Sequence, residues 1–159
     1  MLALLLYPIS VYAWSAQVVK IIDGDTVHVK DNKGEMVKIR IYGIDCPELD
    51  QAYGKAAKQL TAKLILGKQI EIIPITQDRY QRIIAGIILL DDMVILQDAL
   101  ITSGLAWVDD RFCKAAVCNL WKTHQQDAQN SHTPRGLWKS KKPIPPWTWR
   151  KKQKNAINK

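Results

Sequence analysis

The chain contains 159 residues, a length that suits one domain with a real hydrophobic core. Apolar residues make up 47% and charged residues 24%, which is ordinary for a soluble globular protein. The net charge is +8, yet residues 135–159 hold nine Lys and Arg and no acid, whereas the remainder holds 14 basic and 15 acidic residues. A chain that is basic throughout is therefore excluded. The basic C-terminal segment either contacts a polyanion or is a solvated tail that keeps the protein soluble.

The first 13 residues form an apolar segment that ends in Val11-Tyr12-Ala13. Small or apolar residues at these positions are typical of a signal-peptidase site after Ala13. The segment is too short to span a bilayer, which needs about 20 apolar residues. A buried first strand is the alternative, but Pro8 and the lack of alternation disfavour it. We expect residues 1–13 to be a signal peptide, truncated at its start because no Lys or Arg precedes the run, and the protein to be exported to the periplasm or secreted without a membrane span.

Period-two alternation and β-branched residues predict five short strands. They cover residues 17–22, 26–30, 37–42, 69–75 and 83–90. An amphipathic helix is predicted over residues 51–67, where apolar residues recur every three or four positions and Gly67 ends the pattern. Two further helices are predicted over residues 94–103 and 119–130.

Five strands with one helix after the third and more helix at the end is the order of an OB-fold. The predicted fold class is therefore α+β, a five-stranded OB-fold β-barrel with about three helices, over residues 16–140. From Lys141 onward the periodic pattern stops. The Pro and Trp residues that follow predict an extended, partly packed basic tail over residues 141–159.

Acidic residues lie at the ends of the first and third predicted strands. Asp23 and Asp25 lie between the first two strands, and Asp45 and Glu48 follow the third. Strand interiors disfavour Asp, whereas carboxylates at strand ends can meet in a fold. Together with Arg40 inside the third strand, this group predicts a hard-cation site beside an anion-binding side chain.

Two of the three cysteines, Cys113 and Cys118, are separated by four residues. In an exported protein this spacing favours a disulfide that closes a small loop before the third helix. A zinc site is the alternative, although no second Cys/His pair lies at suitable spacing. Cys46 is then left over, and neither His28 nor His124 is placed by sequence to activate it as a nucleophile.

The acidic residues stand in motifs that resemble the staphylococcal nuclease (thermonuclease) family. That family has a DGDT strand end, an arginine on the next strand, a D-x-P-E turn and, later, an aspartate, a basic residue, a tyrosine, any residue and an arginine before a strand. The corresponding residues of this chain are, in order, Asp23-Gly24-Asp25-Thr26, Arg40, Asp45-Cys46-Pro47-Glu48 and Asp78-Arg79-Tyr80-Gln81-Arg82. All four motifs occur in the family's order over residues 16–138.

The resemblance implies a calcium site beside a phosphate-binding site. The metal ligands would be the carboxylates of Asp25 and Asp45 and the backbone carbonyl of Cys46, which suit Ca²⁺ because all are hard oxygen donors. Arg40 and Arg82 would bind the phosphate, since a guanidinium keeps its charge and can hold two oxygens at once.

The resemblance also implies roles for residues around that centre. Glu48 would be the general base or would orient the attacking water. A carboxylate near a cation and two arginines is a weak base at neutral pH, so positioning the water can matter more than taking its proton. Arg79 and Tyr80 match positions that contact a terminal phosphate of a bound nucleotide. Phe112 or Trp107 could stack a base.

The implied activity is a calcium-dependent nuclease that hydrolyses phosphodiester bonds of DNA and RNA with little sequence specificity and leaves 3′-phosphate ends. Single-stranded substrates are expected to be preferred, since their bases can stack and their backbone is reachable. A monomer is expected. The alternatives are a non-catalytic OB-fold module that binds nucleic acid and a DNA-processing accessory of a mobile element. Non-catalytic modules typically lose the acids and arginines that this chain keeps.

Overall fold

The computed structural model describes residues 12–91 and 93–157. The predicted signal peptide therefore lies almost wholly outside the described residues. Among the helices in the described part of the chain, none is both long and apolar enough to cross a membrane.

Three antiparallel strands form the first meander: β1 (Trp14–Ile21), β2 (Thr26–Lys30) and β3 (Met36–Ile41). Alternation on β2 buries Val27 and Val29, as expected for strands with one face on a core. The polar turn before β3 closes on the Asp31 carboxylate, which accepts hydrogen bonds from the backbone N–H groups of Lys33 (2.9 Å) and Glu35 (2.8 Å). The two-residue strand β4 (Ile44–Asp45) follows directly.

The next elements close the barrel: α1 (Gly54–Ile65), β5 (Gln69–Gln77), β6 (Ile83–Leu89) and the short β7 (Val94–Ile95). β5 pairs with β1 and β6, and a parallel pairing between β3 and β6 joins the two edges, with Arg40 opposite Ile84. This closed five-stranded barrel confirms the predicted α+β OB-fold class. Its interior is filled by fully buried aliphatic side chains, among them Val18, Val27, Ile39, Ile72 and Ile87.

The C-terminal half covers one end of the barrel with α2 (Leu96–Thr102) and α3 (Val117–Asn130). Between them β8 (Trp107–Val108) pairs with β4 and so holds Asp45 opposite Trp107. The structure joins Cys113 and Cys118 in a disulfide, the pairing that the sequence favours over a zinc site. The loop they close is also held by the hydroxyl of Tyr42, which accepts hydrogen bonds from two backbone N–H groups of the loop (2.8 and 3.0 Å).

The expectation of an extended tail is wrong beyond Pro146. After a short 3₁₀ turn (Gly136–Lys139), the chain forms a fourth helix, α4 (Pro146–Ile157). Proline is well suited to the first helical position, where its missing N–H costs nothing. The Arg, Lys, Gln and Ala residues that follow are good helix formers, so local propensity outweighs the Pro and Trp signal.

Candidate active site

An open cleft of about 920 Å³ lies where the ends of β2, β3 and β4 meet the turn before β6. It is lined on one side by the acidic strand ends and on the other by residues 76–82. The parallel pairing of β3 with β6 brings these sides together, because it places the residues before Ile83 beside the strand that carries Arg40. The residues predicted for catalysis, metal binding and phosphate contact line this cleft: Asp25, Arg40, Asp45, Cys46, Glu48, Arg79, Tyr80 and Arg82. Trp107, a candidate for base stacking, packs instead against Trp138 and Trp147.

The guanidinium group of Arg40 lies between two carboxylates. Its Nη1 is 2.9 Å from Oδ1 of Asp25, and its Nη2 is 3.1 Å from Oδ1 of Asp45. Arg40 reaches both because it pairs with Thr26, the neighbour of Asp25, and because β4 turns Asp45 back beneath it. Both carboxylates are buried, so their charges are held in one small region by one shared cation.

Burial and neighbouring charges shift the pKa values of Asp25 and Arg40 in opposite directions. Burial raises the pKa of Asp25 to about 7, although the Arg40 guanidinium acts to lower it. Burial alone would lower the pKa of Arg40, but the Asp25 and Asp45 carboxylates outweigh that effect and the pKa of Arg40 is raised. Arg40 is therefore a permanent cation, whereas the negative charge of Asp25 is only partly compensated by the protein.

Asp23 and Cys46 shape the cluster through the backbone. The Asp23 carboxylate accepts a hydrogen bond from the N–H of Asp25 (3.0 Å), which makes it a turn residue. The N–H of Cys46 donates to Oδ2 of Asp25 (2.5 Å). Burial raises the pKa of the Cys46 thiol well above its usual value, and the nearby Asp25 adds to the shift. Such a thiol is a poor nucleophile, in agreement with the sequence interpretation.

Glu48 lies on the turn that leads into α1. Its N–H donates to Oε1 of Gln51 (3.2 Å), which fixes the turn. Helix α1 begins so close to this turn that a Cβ on Gly54 would overlap the carbonyl oxygen of Glu48. The Thr61 hydroxyl of α1 also donates to the carbonyl of Gly24 (2.7 Å). The helix thus positions both the Glu48 turn and the loop that carries Asp25.

Arg82 lies on the opposite wall of the cleft, in the turn between β5 and β6. Its Nε is 2.7 Å from Oδ2 of Asp78, and the same carboxylate accepts the N–H groups of Tyr80 and Arg82. The side chains of Arg79 and Arg82 flank the ring of Tyr80, at 4.9 and 5.6 Å from its centroid. Tyr80 is 64% exposed and lies at the edge of the cleft.

Two arginines that the sequence did not single out also line the cleft. Arg111 forms a two-point ion pair with the buried Asp109 and approaches Oδ2 of Asp45 at 3.9 Å. Arg150 of α4 contacts both Asp45 and Glu48. Neither arginine stands in a recognisable motif. Arg150 lies within a run of basic residues, and no sequence signal separates it from its neighbours.

Phe112, a candidate for base stacking, is 67% exposed at the same rim.

The donor set fits a calcium ion by its chemistry. No group of three or more His, Cys, Asp or Glu side chains in the described ranges is arranged to hold a metal ion. Two carboxylates held by one guanidinium, with the adjacent backbone carbonyl of Cys46, are nevertheless hard oxygen donors of the kind that Ca²⁺ binds together with water. The residues that would hold the ion are Asp25, Asp45 and Cys46.

A five-stranded OB barrel whose cleft combines buried carboxylates with arginines on both walls has the features of a phosphodiesterase site. Comparisons with known proteins agree. A family described as "Staphylococcal nuclease homologue" matches residues 38–140. An uncharacterized endonuclease of Escherichia coli is 33% identical over 134 residues, covering 84% of this chain and 83% of the relative.

Other relatives carry more specific names. A micrococcal nuclease of Shigella flexneri is 29% identical over 161 residues, covering 94% of this chain and 90% of the relative. A staphylococcal-like nuclease of Arabidopsis thaliana is 34% identical over 119 residues, covering 75% of this chain and 35% of the relative. The chain belongs to the staphylococcal nuclease family. It is accordingly a nuclease, a hydrolase that acts on the phosphodiester bonds of nucleic acid.

Proposed function

We propose that this protein is a calcium-dependent nuclease that hydrolyses DNA and RNA with little sequence specificity and leaves 3′-phosphate ends. The observation that carries the proposal is the Arg40 guanidinium, which lies on the Asp25 and Asp45 carboxylates and faces a cleft whose other wall carries Arg82. A phosphodiester in this cleft would lie between a cation site and a second arginine.

The two arginines stabilise the negative charge that builds on the phosphate as it reacts. Each offers a planar set of N–H donors that can hold two phosphate oxygens. Arg40 is held in place by its carboxylates, whereas Arg82 exchanges its Asp78 partner for a phosphate oxygen. A bound Ca²⁺ would supply further positive charge beside the same oxygens.

Glu48 acts on the attacking water. Its side chain is partly exposed at the mouth of the cleft, where it can accept a hydrogen bond from a water molecule. The water oxygen bonds to phosphorus and gives up a proton to Glu48 or to solvent, the bond to the 5′ oxygen breaks, and the 5′ oxygen leaves as a hydroxyl after it takes a proton from solvent. The phosphate stays on the 3′ oxygen. In both roles, taking a proton from the water or orienting it, the Glu48 side chain accepts a hydrogen bond from the water.

We also propose a preference for single strands, which the rim of the cleft supports. Tyr80 and Phe112 are exposed aromatic residues that line the cleft, and unpaired bases can stack on such rings. Arg79 lies against Tyr80, with its Nη2 2.8 Å from the Tyr80 hydroxyl, and would contact a phosphate of the bound strand.

We also propose that the protein is exported and acts as a monomer. Two observations support export: β1 begins at Trp14, directly after the predicted cleavage site, and a disulfide closes residues 113–118. Disulfides persist in oxidising compartments, which the periplasm and the exterior provide.

Cleavage assays on circular and linear DNA and on RNA test the proposal. We expect the wild-type protein to cut all three in CaCl₂ and to stop when EGTA is added, while the Glu48→Gln variant loses most of its turnover. The new 3′ ends should resist extension by a polymerase until a phosphatase treats them. Cleavage that continues in EGTA, or 3′ ends that a polymerase extends at once, would contradict the proposal.

A further inference from the structure

Helix α4 carries Arg150 into the active-site cleft. Its Nη2 is 2.6 Å from Oδ2 of Asp45, and its Nη1 is 3.2 Å from Oδ1 of the same carboxylate. Nη1 also lies 2.5 Å from Oε1 of Glu48. One arginine from the C-terminal helix therefore engages both a proposed cation ligand and the residue proposed to act on water.

The contacts of α4 fall on the Glu48 turn itself. Gln51 donates to the carbonyl of Ile144, just before the helix, at 2.6 Å, and the indole N–H of Trp149 donates to Asp50 at 3.3 Å. Trp147 packs edge-on against Trp107, the residue opposite Asp45, with ring centroids 5.8 Å apart. These contacts bring Arg150 to the carboxylates as part of an organised arm.

Charge explains why Arg150 is held there. Asp25, Asp45 and Glu48 place three carboxylates around the cleft, and Arg40 is shared between the first two. Arg150 is the counter-charge closest to the buried Asp45, which Arg40 contacts at 3.1 Å and Arg111 approaches at 3.9 Å. A guanidinium keeps its charge, so Arg150 is a permanent cation against this carboxylate.

A divalent cation and Arg150 would meet on the same carboxylate. Oδ1 of Asp45 already accepts hydrogen bonds from both Arg40 and Arg150, and Oδ2 accepts the short bond from Arg150. A carboxylate oxygen has about two acceptor positions. Both positions of Oδ1 are therefore occupied, and Oδ2 has one position left. A cation on the remaining position would lie beside the positive guanidinium, and like charges at so short a distance repel each other.

We propose that Arg150 is an internal competitor of the divalent cation, and that α4 is an arm which the cation must displace before the site is ready for catalysis. This inference rests on the proposed calcium site. When a cation takes Asp45, Arg150 loses its two-point partner and keeps its ion pair with Glu48, while α4 keeps the contacts of Trp147 and Trp149. Cation binding therefore loosens α4, and the ion pairs of α4 weaken cation binding.

Calorimetric titration with CaCl₂ alone measures this competition without reference to activity. The proteins are the full chain and its Arg150→Gln and Lys151→Gln variants. Lys151 is the matched control, because it is the neighbouring exposed cation of the same helix and its replacement removes the same charge. We expect Arg150→Gln to bind Ca²⁺ about threefold to tenfold more tightly, as fits the loss of one partly exposed ion pair. The Lys151→Gln variant should change the Ca²⁺ affinity less than Arg150→Gln does.

Two further measurements guard against misfolding and indirect effects. Thermal unfolding shows whether each variant folds, and Trp149→Ala provides a second variant that loosens α4 while it keeps Arg150; its Ca²⁺ affinity should rise as well. Hydrogen exchange of the α4 amides in the wild-type protein should quicken when CaCl₂ is added.

Equal or weaker Ca²⁺ binding by a folded Arg150→Gln variant would overturn the inference and leave the proposed function standing, since Arg150 would then only orient the carboxylates. Equal tightening by Lys151→Gln would also overturn it, because the effect would be one of general charge. If no variant binds Ca²⁺, both the inference and the proposed calcium dependence fail.

Discussion

Arg40 and Arg82 are both arginines of the cleft, but their surroundings differ. Arg40 is fixed on a central strand between two buried carboxylates, and its replacement would leave those charges uncompensated. Arg82 lies in a turn, and the carboxylate that it pairs with, Asp78, is in the same turn. A change at Arg82 therefore tests catalysis more cleanly than a change at Arg40.

We predict that Arg82→Ala lowers turnover by about 10²- to 10³-fold, the usual cost of losing one preorganised donor to a developing anion. Arg82→Lys should recover only part of the activity, because lysine keeps the charge and lacks the two-point geometry. Steady-state kinetics on single-stranded DNA in CaCl₂ measures both variants.

The exposed Arg135 lies outside the cleft and provides the control, as Arg135→Ala. All the variants should melt within a few degrees of the wild-type protein. If purified, folded Arg82→Ala turns over at a near-normal rate, Arg82 has no part in the reaction.

At the scale of elements, the site depends on where strands and turns end. The carboxylates belong to the ends of β2 and β4, Glu48 to the turn that α1 buttresses, and Arg82 to the turn before β6. The disulfide loop supplies the remaining rim, with Arg111 and Phe112 just before Cys113. A loop so placed influences both stability and the shape of the cleft.

We predict that the double variant Cys113→Ser/Cys118→Ser unfolds with a free energy about 2 kcal/mol lower than the wild-type protein. The reason is that the cross-link spans only five positions, and a small loop removes limited entropy from the unfolded chain. Urea unfolding under oxidising conditions measures the change. The Tyr42 hydroxyl still holds the loop backbone in the variant, so the barrel should fold.

Dithiothreitol provides the control for that experiment, since reduction should destabilise the wild-type protein by a similar amount and leave the double variant unchanged. The buried Cys46 is present in both proteins and therefore does not contribute to the difference in their unfolding free energies. A variant as stable as the oxidised wild type would show that backbone contacts alone hold the loop.

At the scale of the whole molecule, the basic excess is concentrated at the C-terminus. The structure divides these charges between two tasks: Arg150 lies in the cleft, whereas Lys151, Lys152 and Lys154 of the same helix are exposed. The interpretation of the segment as a solvated tail therefore does not hold for Arg150. The exposed lysines are free to contact the phosphates of a strand that leaves the cleft.

We predict that replacing Lys151, Lys152 and Lys154 by Gln reduces the salt dependence of nucleic-acid binding. The slope of log K against log salt should fall by about 0.7 for each phosphate of a single strand that the variant no longer neutralises. Fluorescence anisotropy with a cleavage-resistant phosphorothioate oligonucleotide at several salt concentrations gives the slope.

Replacement of Lys55, Lys58 and Lys63 of α1 by Gln removes the same charge elsewhere and serves as the control. An unchanged salt slope in the α4 variant, or an equal fall of the slope in the α1 variant, would contradict the prediction that α4 contacts the strand.

The sequence alone predicted the barrel and named the motif residues that line the cleft. Alternation at period two is enough to define strands with one buried face, and the order of strands and helices is enough to define an OB-fold. The motif residues Asp25, Arg40, Asp45, Glu48 and Arg82 line one cleft, as the resemblance implied. The fold prediction succeeds because it depends on local spacing and on residue types that tolerate few alternatives, whereas the roles of the motif residues stay predictions.

Only the tertiary structure decided what the C-terminal segment does. Its Pro and Trp residues predicted an extended tail where the structure has a helix. Nothing in a run of basic residues distinguishes Arg150 from Lys151. The distinction comes from packing across the chain, because Trp147 and Trp149 dock α4 on the Glu48 turn and direct Arg150 to a carboxylate 105 positions earlier. Local sequence carries propensity and periodicity, but a contact of that separation depends on how the whole chain folds.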